Sequence, residues 1–407
     1  MSHTPERRSR RLATLVVLGG LSAFAPLSID MYLPALPEIT RELHTDATAV
    51  QLTLTGCLVG LGLGQALAGP LSDTLGRRRP LLVSLVLYAV ASVLCALAPT
   101  VPTLVVLRVA QGLAGAVGIV VARAVIRDLR SGRALARLFA MVMMVNGLAP
   151  ILAPVIGAQL LRVASWRVLF LVLSVLGALL LVGVLVWLPE SLPPERRRPG
   201  SITRTLRTFA SLARDRRFTG YLLTVGFSFG TMFAYISASP FVLQNQHHLS
   251  AQQFSLVFGT NGLGIVACSQ LSGLLVDRIR PRTILRTGVA IQTCAAAGVL
   301  LAAPHGPLWA VLLTLFVSVA TFGLVTPNAT ALALAEHGTQ AGTASAALGT
   351  FQFLVGGLVP VWLGIGGMSQ SLAMGVVMVA LAAGSLLACF GVAGSWFGRS
   401  RLAESAG

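Results

Sequence analysis

The sequence predicts an all-α polytopic membrane protein with twelve transmembrane helices, arranged as two six-helix repeats around a central cavity. Three observations carry this. Of the 407 residues, 55% are hydrophobic and only 11% are charged, which excludes a set of soluble domains. The apolar residues fall in runs of about twenty separated by short polar turns, the pattern required when every amide must bond within its own segment in lipid. Finally, Gly69-Pro-Leu-Ser-Asp-Thr-Leu-Gly-Arg-Arg-Arg-Pro80 has a degenerate echo in Gly273-Leu-Leu-Val-Asp-Arg-Ile-Arg-Pro281. This sets Asp73 and Asp277 204 residues apart.

In chain order, the first run (12–33) follows Arg7, Arg8, Arg10 and Arg11. It is too long for a secretory signal and lacks a small-residue cleavage site, so it is expected to be the first span. The others are 47–71, 81–98, 103–126, 134–161 and 168–188, then 221–243, 254–276, 284–303, 308–331, 342–363 and 372–392. The one long polar interruption, 189–217, carries Pro193-Pro194, three consecutive arginines and a basic amphipathic piece. It is expected to be a linker between an N-terminal half (1–188) and a C-terminal half (218–407). Gly147-Leu-Ala-Pro150 in span five and Gly357-Leu-Val-Pro360 in span eleven, 210 residues apart, strengthen the repeat. In such an architecture the halves rock about the cavity, exposing a site to each side in turn.

The net charge of +17 raises nucleic acid as a partner, but all 30 basic residues are arginine and they cluster at span ends. Placing successive loops on opposite sides puts 7–11, 77–79, 127–137, 196–217, 278–286 and 399–401 on one face, against Arg41, Arg162 and Arg167 on the other. The rich face is expected to be cytoplasmic, with both termini inside, and attraction to anionic membrane lipid follows as a secondary effect. No nucleic-acid partner is expected. Cys57, Cys95, Cys268, Cys294 and Cys389 lie in apolar runs without metal or redox spacing and read as small core residues. With no lysine there is no phosphate-binding loop of the G-x-x-x-x-G-K type, so energy is expected from an ion gradient.

The run from Gly69 to Arg78 resembles the loop signature between helices two and three of the major facilitator superfamily, over essentially the whole chain. Arg108-Val-Ala-Gln-Gly112 followed by Gly115 resembles the helix-four signature associated with proton coupling. Ala149-Pro-Ile-Leu-Ala-Pro154-Val-Ile-Gly157-Ala158 resembles the helix-five antiporter signature through Pro150, Pro154 and Gly157, with Ala153 and Ala158 where glycines are usual. Pro-Leu-Ser-Ile-Asp30-Met-Tyr-Leu-Pro34 is similar to the Bcr/CflA branch of the twelve-helix drug:proton antiporters, whose members export bicyclomycin, chloramphenicol and florfenicol. The resemblance implies drug export without selecting a drug. It also implies that Asp73 bonds to neighbouring helix ends and arginines to hold an inner gate, that Gly69 and Gly76 permit close helix contact and a sharp turn, and that Arg77 and Arg78 can relay charge to Asp128 or Glu190.

Ionisable residues well inside a span are scarce and mark a pathway by default. Asp30 and Arg108 are the two, and their predicted depths agree. Paired or sharing a water, they suit proton coupling, with Arg108 tuning Asp30 and orienting a polar substrate group. The alternatives are a static ion pair that fixes helix packing, or Asp30 as an interfacial cap. Arg123, fifteen residues beyond Arg108, is expected to snorkel. Candidates for the substrate cavity are Tyr32, Gln111, Gly115, Met143, Asn146, Ser228, Met232, Tyr235 and Asn328, each also readable as an inter-helix hydrogen bond or core residue.

The resulting expectation is a proton-coupled exporter of small amphipathic drugs or antibiotics in the cytoplasmic membrane. It is not an enzyme, has no cofactor or metal beyond protons as coupling ion, and works as a monomer. An exporter of an endogenous metabolite is the nearer alternative, a non-transporting sensor or intramembrane enzyme the more distant.

Overall fold

The computed structural model describes residues 5–129, 132–197, 202–335, 337 and 341–392. Every regular element among them is helical. The first apolar run forms α1 (Pro5–Ser22), α2 (Phe24–Asp30) and, after a 3-10 turn, α3 (Leu36–Glu42). Expected as one continuous span over 12–33, it is instead bent by 51° between Ala13–Ser22 and Pro26–Glu42. Pro26 has no N–H for the Ser22 carbonyl and its ring crowds that oxygen, so the helix breaks there.

Spans two to six are α4 (Ala47–Leu75), α5 (Arg78–Ala96), α6 (Val101–Leu129), α7 (Gly132–Leu160) and α8 (Arg167–Trp187). The linker helix is α9 (Ile202–Arg214). Then come α10 (Arg216–Pro240), α11 (Ala251–Leu275) and α12 (Pro281–Ala302). The tenth run is split into α13 (Leu308–Ala320) and α14 (Phe322–Leu334), and α15 (Ala341–Gly364) and α16 (Gln370–Leu387) follow. Among the described residues ten helices are long and apolar enough to cross a membrane, the bent first run taken as one span makes an eleventh, and Met144–Leu160 is a shorter apolar part of α7. Each of the twelve runs expected from the sequence thus lies on helix. Asp46 caps α4 by accepting from the Ala49 amide at 2.8 Å, and Asp215 caps α10 by accepting from Arg217 and Phe218.

Two compact units divide the chain, Met1–Ile202 with His248–Gly259 and Thr203–His247 with Thr260–Gly407. The linker is shared: 189–197 stays with the first unit while α9 joins the second, where Leu212 and Phe209 pack on a core of Phe218, Val225, Leu285 and Val325.

In the first unit, α4 and α6 meet almost backbone to backbone. Gly56, Gly60 and Gly64 recur every fourth residue on α4. A Cβ on Gly56 would lie 2.6 Å from Val105 O, and one on Gly60 would overlap Val109 O. Reciprocally, a Cβ on Gly112 of α6 would overlap Cys57 O. Small residues are what such approach requires in lipid, where packing rather than hydrophobic exclusion joins helices. The second unit repeats the device, with Gly323 of α14 against the backbone of Ile265 and Ser269 on α11. Cys57, Cys95 and Cys389 are buried as expected and Cys268 is half-buried, but Cys294 is exposed on α12.

Candidate functional site

The α4–α6 contact places Arg108 and Gln111, three residues apart on one face of α6, in the interior of the first unit, where both are wholly buried. Arg108 Nη1 donates to Gln111 Oε1 at 2.7 Å, Gln111 Nε2 to Ser92 Oγ at 2.7 Å, and Ser92 Oγ to Tyr88 O at 2.7 Å. The Tyr88 hydroxyl lies 2.6 Å from Ser28 Oγ, which returns the chain of contacts to α2. The guanidinium carbon stands 4.9 Å from the ring centroid of Tyr32 and 5.6 Å from that of Phe170. Tyr32 is itself held by a hydrogen bond to Thr53. Aromatic faces attract the cation and shield it from lipid.

Asp30 ends α2 and is 5% exposed. Among the described residues no hydrogen bond or ion pair joins it to Arg108. The static pair weighed from the sequence is therefore not formed in this structure, because the guanidinium is turned to Gln111. Gly115 lies one turn beyond Gln111, where a Cβ would face the Tyr88 ring. Asn146 is half-buried and its Nδ2 has no partner, while the Met143 side chain lies outside the described residues. Arg123 is half-buried, with Nε enclosed and unpartnered, so its expected snorkelling leaves that nitrogen inside.

At the end of α4 the polar signature folds into a dense charged clamp. Arg77 Nη1 donates to Asp73 Oδ1 at 2.6 Å and to Ser72 Oγ at 2.8 Å, while its Nε donates to Asp128 Oδ2 at 3.1 Å. The backbone N–H groups of Arg77 and Arg78 donate to Glu190 at 2.8 and 3.2 Å, and Leu192 N donates to it at 3.0 Å. Burial alone would raise the Glu190 carboxyl. Those three amides, with Arg197, outweigh it and hold the group below the usual carboxylate range. Arg78 Nη2 reaches Leu185 O at 2.7 Å.

Gly76 makes the turn at φ 88°, ψ 171°, a region that only glycine enters freely. Gly69 departs from expectation. A Cβ there would meet nothing within 4 Å, so no close helix contact depends on it; it lies inside α4 facing open space.

On α7, Gly157 abuts the carbonyl of Met31, the residue after Asp30, so closely that a Cβ would overlap it. Ser255 Oγ donates to Pro154 O at 2.9 Å and Gln252 Nε2 to Ala158 O at 3.0 Å, both within the first unit. Pro150 also lies inside α7. In the second unit Ser228 Oγ donates to Gln292 Oε1 at 2.8 Å and Asn261 Nδ2 to the Tyr235 hydroxyl at 2.9 Å. Asn328 Nδ2 donates to Ser272 Oγ at 2.6 Å. These groups bridge helices here, and Met232 is half-buried beside them on α10.

Residues 18–360 match the profile of the Major Facilitator Superfamily. The chain belongs to the major facilitator superfamily. It is 41% identical to the MFS-type transporter YdgK of Bacillus subtilis (strain 168), over 96% of this chain and 98% of that one. It is 30% identical to a bicyclomycin resistance protein homolog of Haemophilus influenzae (strain ATCC 51907 / DSM 11121 / KW20 / Rd), over 85% and 87%. Its fold is similar to that of a point mutant of the nucleoside transporter NupG, with a TM-score of 0.74 over 93% of this chain and 97% of that one at 12% identity.

Within this superfamily member, the sequence reading missed the partners that hold its candidates. Ser92 and Gln292 are polar residues inside apolar runs, a visible signal. The Gly56, Gly60, Gly64 spacing that positions α6 was equally visible. The bonding of Ser255 and Gln252 to α7 had no sequence signal, because it joins distant segments through backbone carbonyls.

Proposed function

We propose that the chain is a proton-coupled secondary transporter that exports small amphipathic drugs or antibiotics by alternating access. The observation that carries this is a buried, unpaired Asp30 in the same unit as a buried arginine, at positions that match the drug:proton antiporter signatures. Relatives named for bicyclomycin and chloramphenicol resistance support the substrate class.

With Asp30 ionised, the site takes drug from the cytoplasm or inner leaflet. After the outward transition, protonation of Asp30 weakens the drug site, and release of the proton inside resets it. Arg108 favours the ionised carboxylate when the two approach and orients a polar group of the substrate. The clamp around Arg77 holds the inner gate. Exchange of a neutral drug for one proton moves one charge, worth about 2.3 kcal/mol per 100 mV, enough to sustain a gradient. The protein works as a monomer in the cytoplasmic membrane with both termini inside and needs no cofactor beyond protons.

Drug-driven proton release by the purified protein is expected to be lost in Asp30→Asn. Release equal to the parent's would remove Asp30 from the mechanism. A second reading is export of an endogenous metabolite by the same mechanism. Protection against no agent in a susceptibility panel, in a host deficient in efflux, would select it.

A further inference from the structure

The guanidinium of Arg108 has two bonding edges, and only one is used. Nη1 is satisfied by Gln111 at 2.7 Å. Nε and Nη2 are buried with no partner. These two nitrogens lie side by side with parallel N–H bonds, the fork that fits both oxygens of one carboxylate. Leaving such donors unpaired in a buried site costs free energy that an arriving acceptor recovers.

The surroundings hold the fork open rather than folding it away. Gln111 is anchored by Ser92, so the guanidinium cannot swing freely towards another acceptor, and Tyr32 and Phe170, with ring centroids 5.5 Å apart, crowd it together from one side. Asp30 does not occupy it. We propose that the Nε–Nη2 edge of Arg108 receives a carboxylate carried by the substrate, so that the transported class includes amphipathic monocarboxylates whose apolar body lies against Tyr32 and Phe170. The inference rests on the transporter reading. Because both nitrogens are enclosed, the ligand enters only when the packing around them opens, and binding is expected to be slow relative to diffusion.

The same chemistry has a second source, the carboxylate of Asp30, and the test separates them. Equilibrium binding of radiolabelled 1-naphthoate and its methyl ester is measured on the purified full chain in detergent, with no gradient. The parent is expected to bind the acid about tenfold or more tighter than the ester, the worth of one hydrogen bond to a charged group. Arg108→Lys keeps the charge, loses the fork and is expected to level the two. Asp30→Asn is expected to keep the preference.

If Arg108→Lys does not fold by size-exclusion chromatography, Ser92→Ala, which releases Gln111, serves instead and is expected to weaken the preference. Equal affinity for acid and ester in the folded parent, or a preference that survives every variant, would overturn the proposal. A preference that appears only in Asp30→Asn would also overturn it and assign the edge to Asp30. Absence of drug-driven proton release by the parent itself, with the preference intact, would instead sink the export reading alone.

Discussion

Glu190 gathers three backbone amides from two segments into one carboxylate, and its lowered pKa carries a definite sign for stability. A carboxyl held below its ordinary value of 4.5 stabilises the fold fully above that value and loses the contribution as pH falls through the folded one. The thermal midpoint of the detergent-solubilised parent is therefore expected to fall more steeply on acidification below pH 4.5 than that of Glu190→Gln. Identical pH slopes would show that the amides do not depend on the charge. The reach of Arg77 to Asp128, and the involvement of Glu190, were implied by the resemblance of 69–78 to the loop signature of the superfamily. The open edge of Arg108 was not. Depth along a helix follows from residue counting, but the direction of a guanidinium follows from neighbours such as Ser92 on another helix.

Helix pairs are where small residues act. The Gly56, Gly60, Gly64 stripe lets α4 and α6 touch through their backbones, and the carbonyl of Val109 cannot move aside for a methyl group. Gly60→Ala is expected to destabilise the purified protein by about 1–3 kcal/mol, the usual cost of overpacking. Gly69→Ala on the same helix, with open space at its Cβ, is the control expected to leave the thermal midpoint nearly unchanged. Equal midpoints for the two variants would show that α4 and α6 can separate without cost. Helix existence was fully legible because hydropathy dictates it, whereas the break in the first run went unread. Pro26 was present in the sequence, but its effect depends on whether neighbouring helices restrain the bend.

At the scale of the whole molecule, the chain divides between Ile202 and Thr203, just past the arginines at 196–198. Brief trypsin treatment is expected to give two resistant fragments, each close to half of the 42.4 kDa chain. Cleavage that instead scatters through the spans would contradict two separately compact units. The six-plus-six division was legible from the echo at Gly273 because both runs close an apolar segment with Gly, place an Asp four residues on and open the next segment at or after a Pro. The membership of His248–Gly259 was not, since it depends on which unit a helix end packs against. The backbone contact of α4 with α6 has a mechanical consequence. Two helices pressed together without intervening side chains behave as one stiff beam, whereas the joint at Ser22–Pro26 lacks a hydrogen bond and is compliant. Load applied to this unit is then taken up as flexure of the first span, one turn from Asp30, so strain in the frame is felt beside that buried carboxyl.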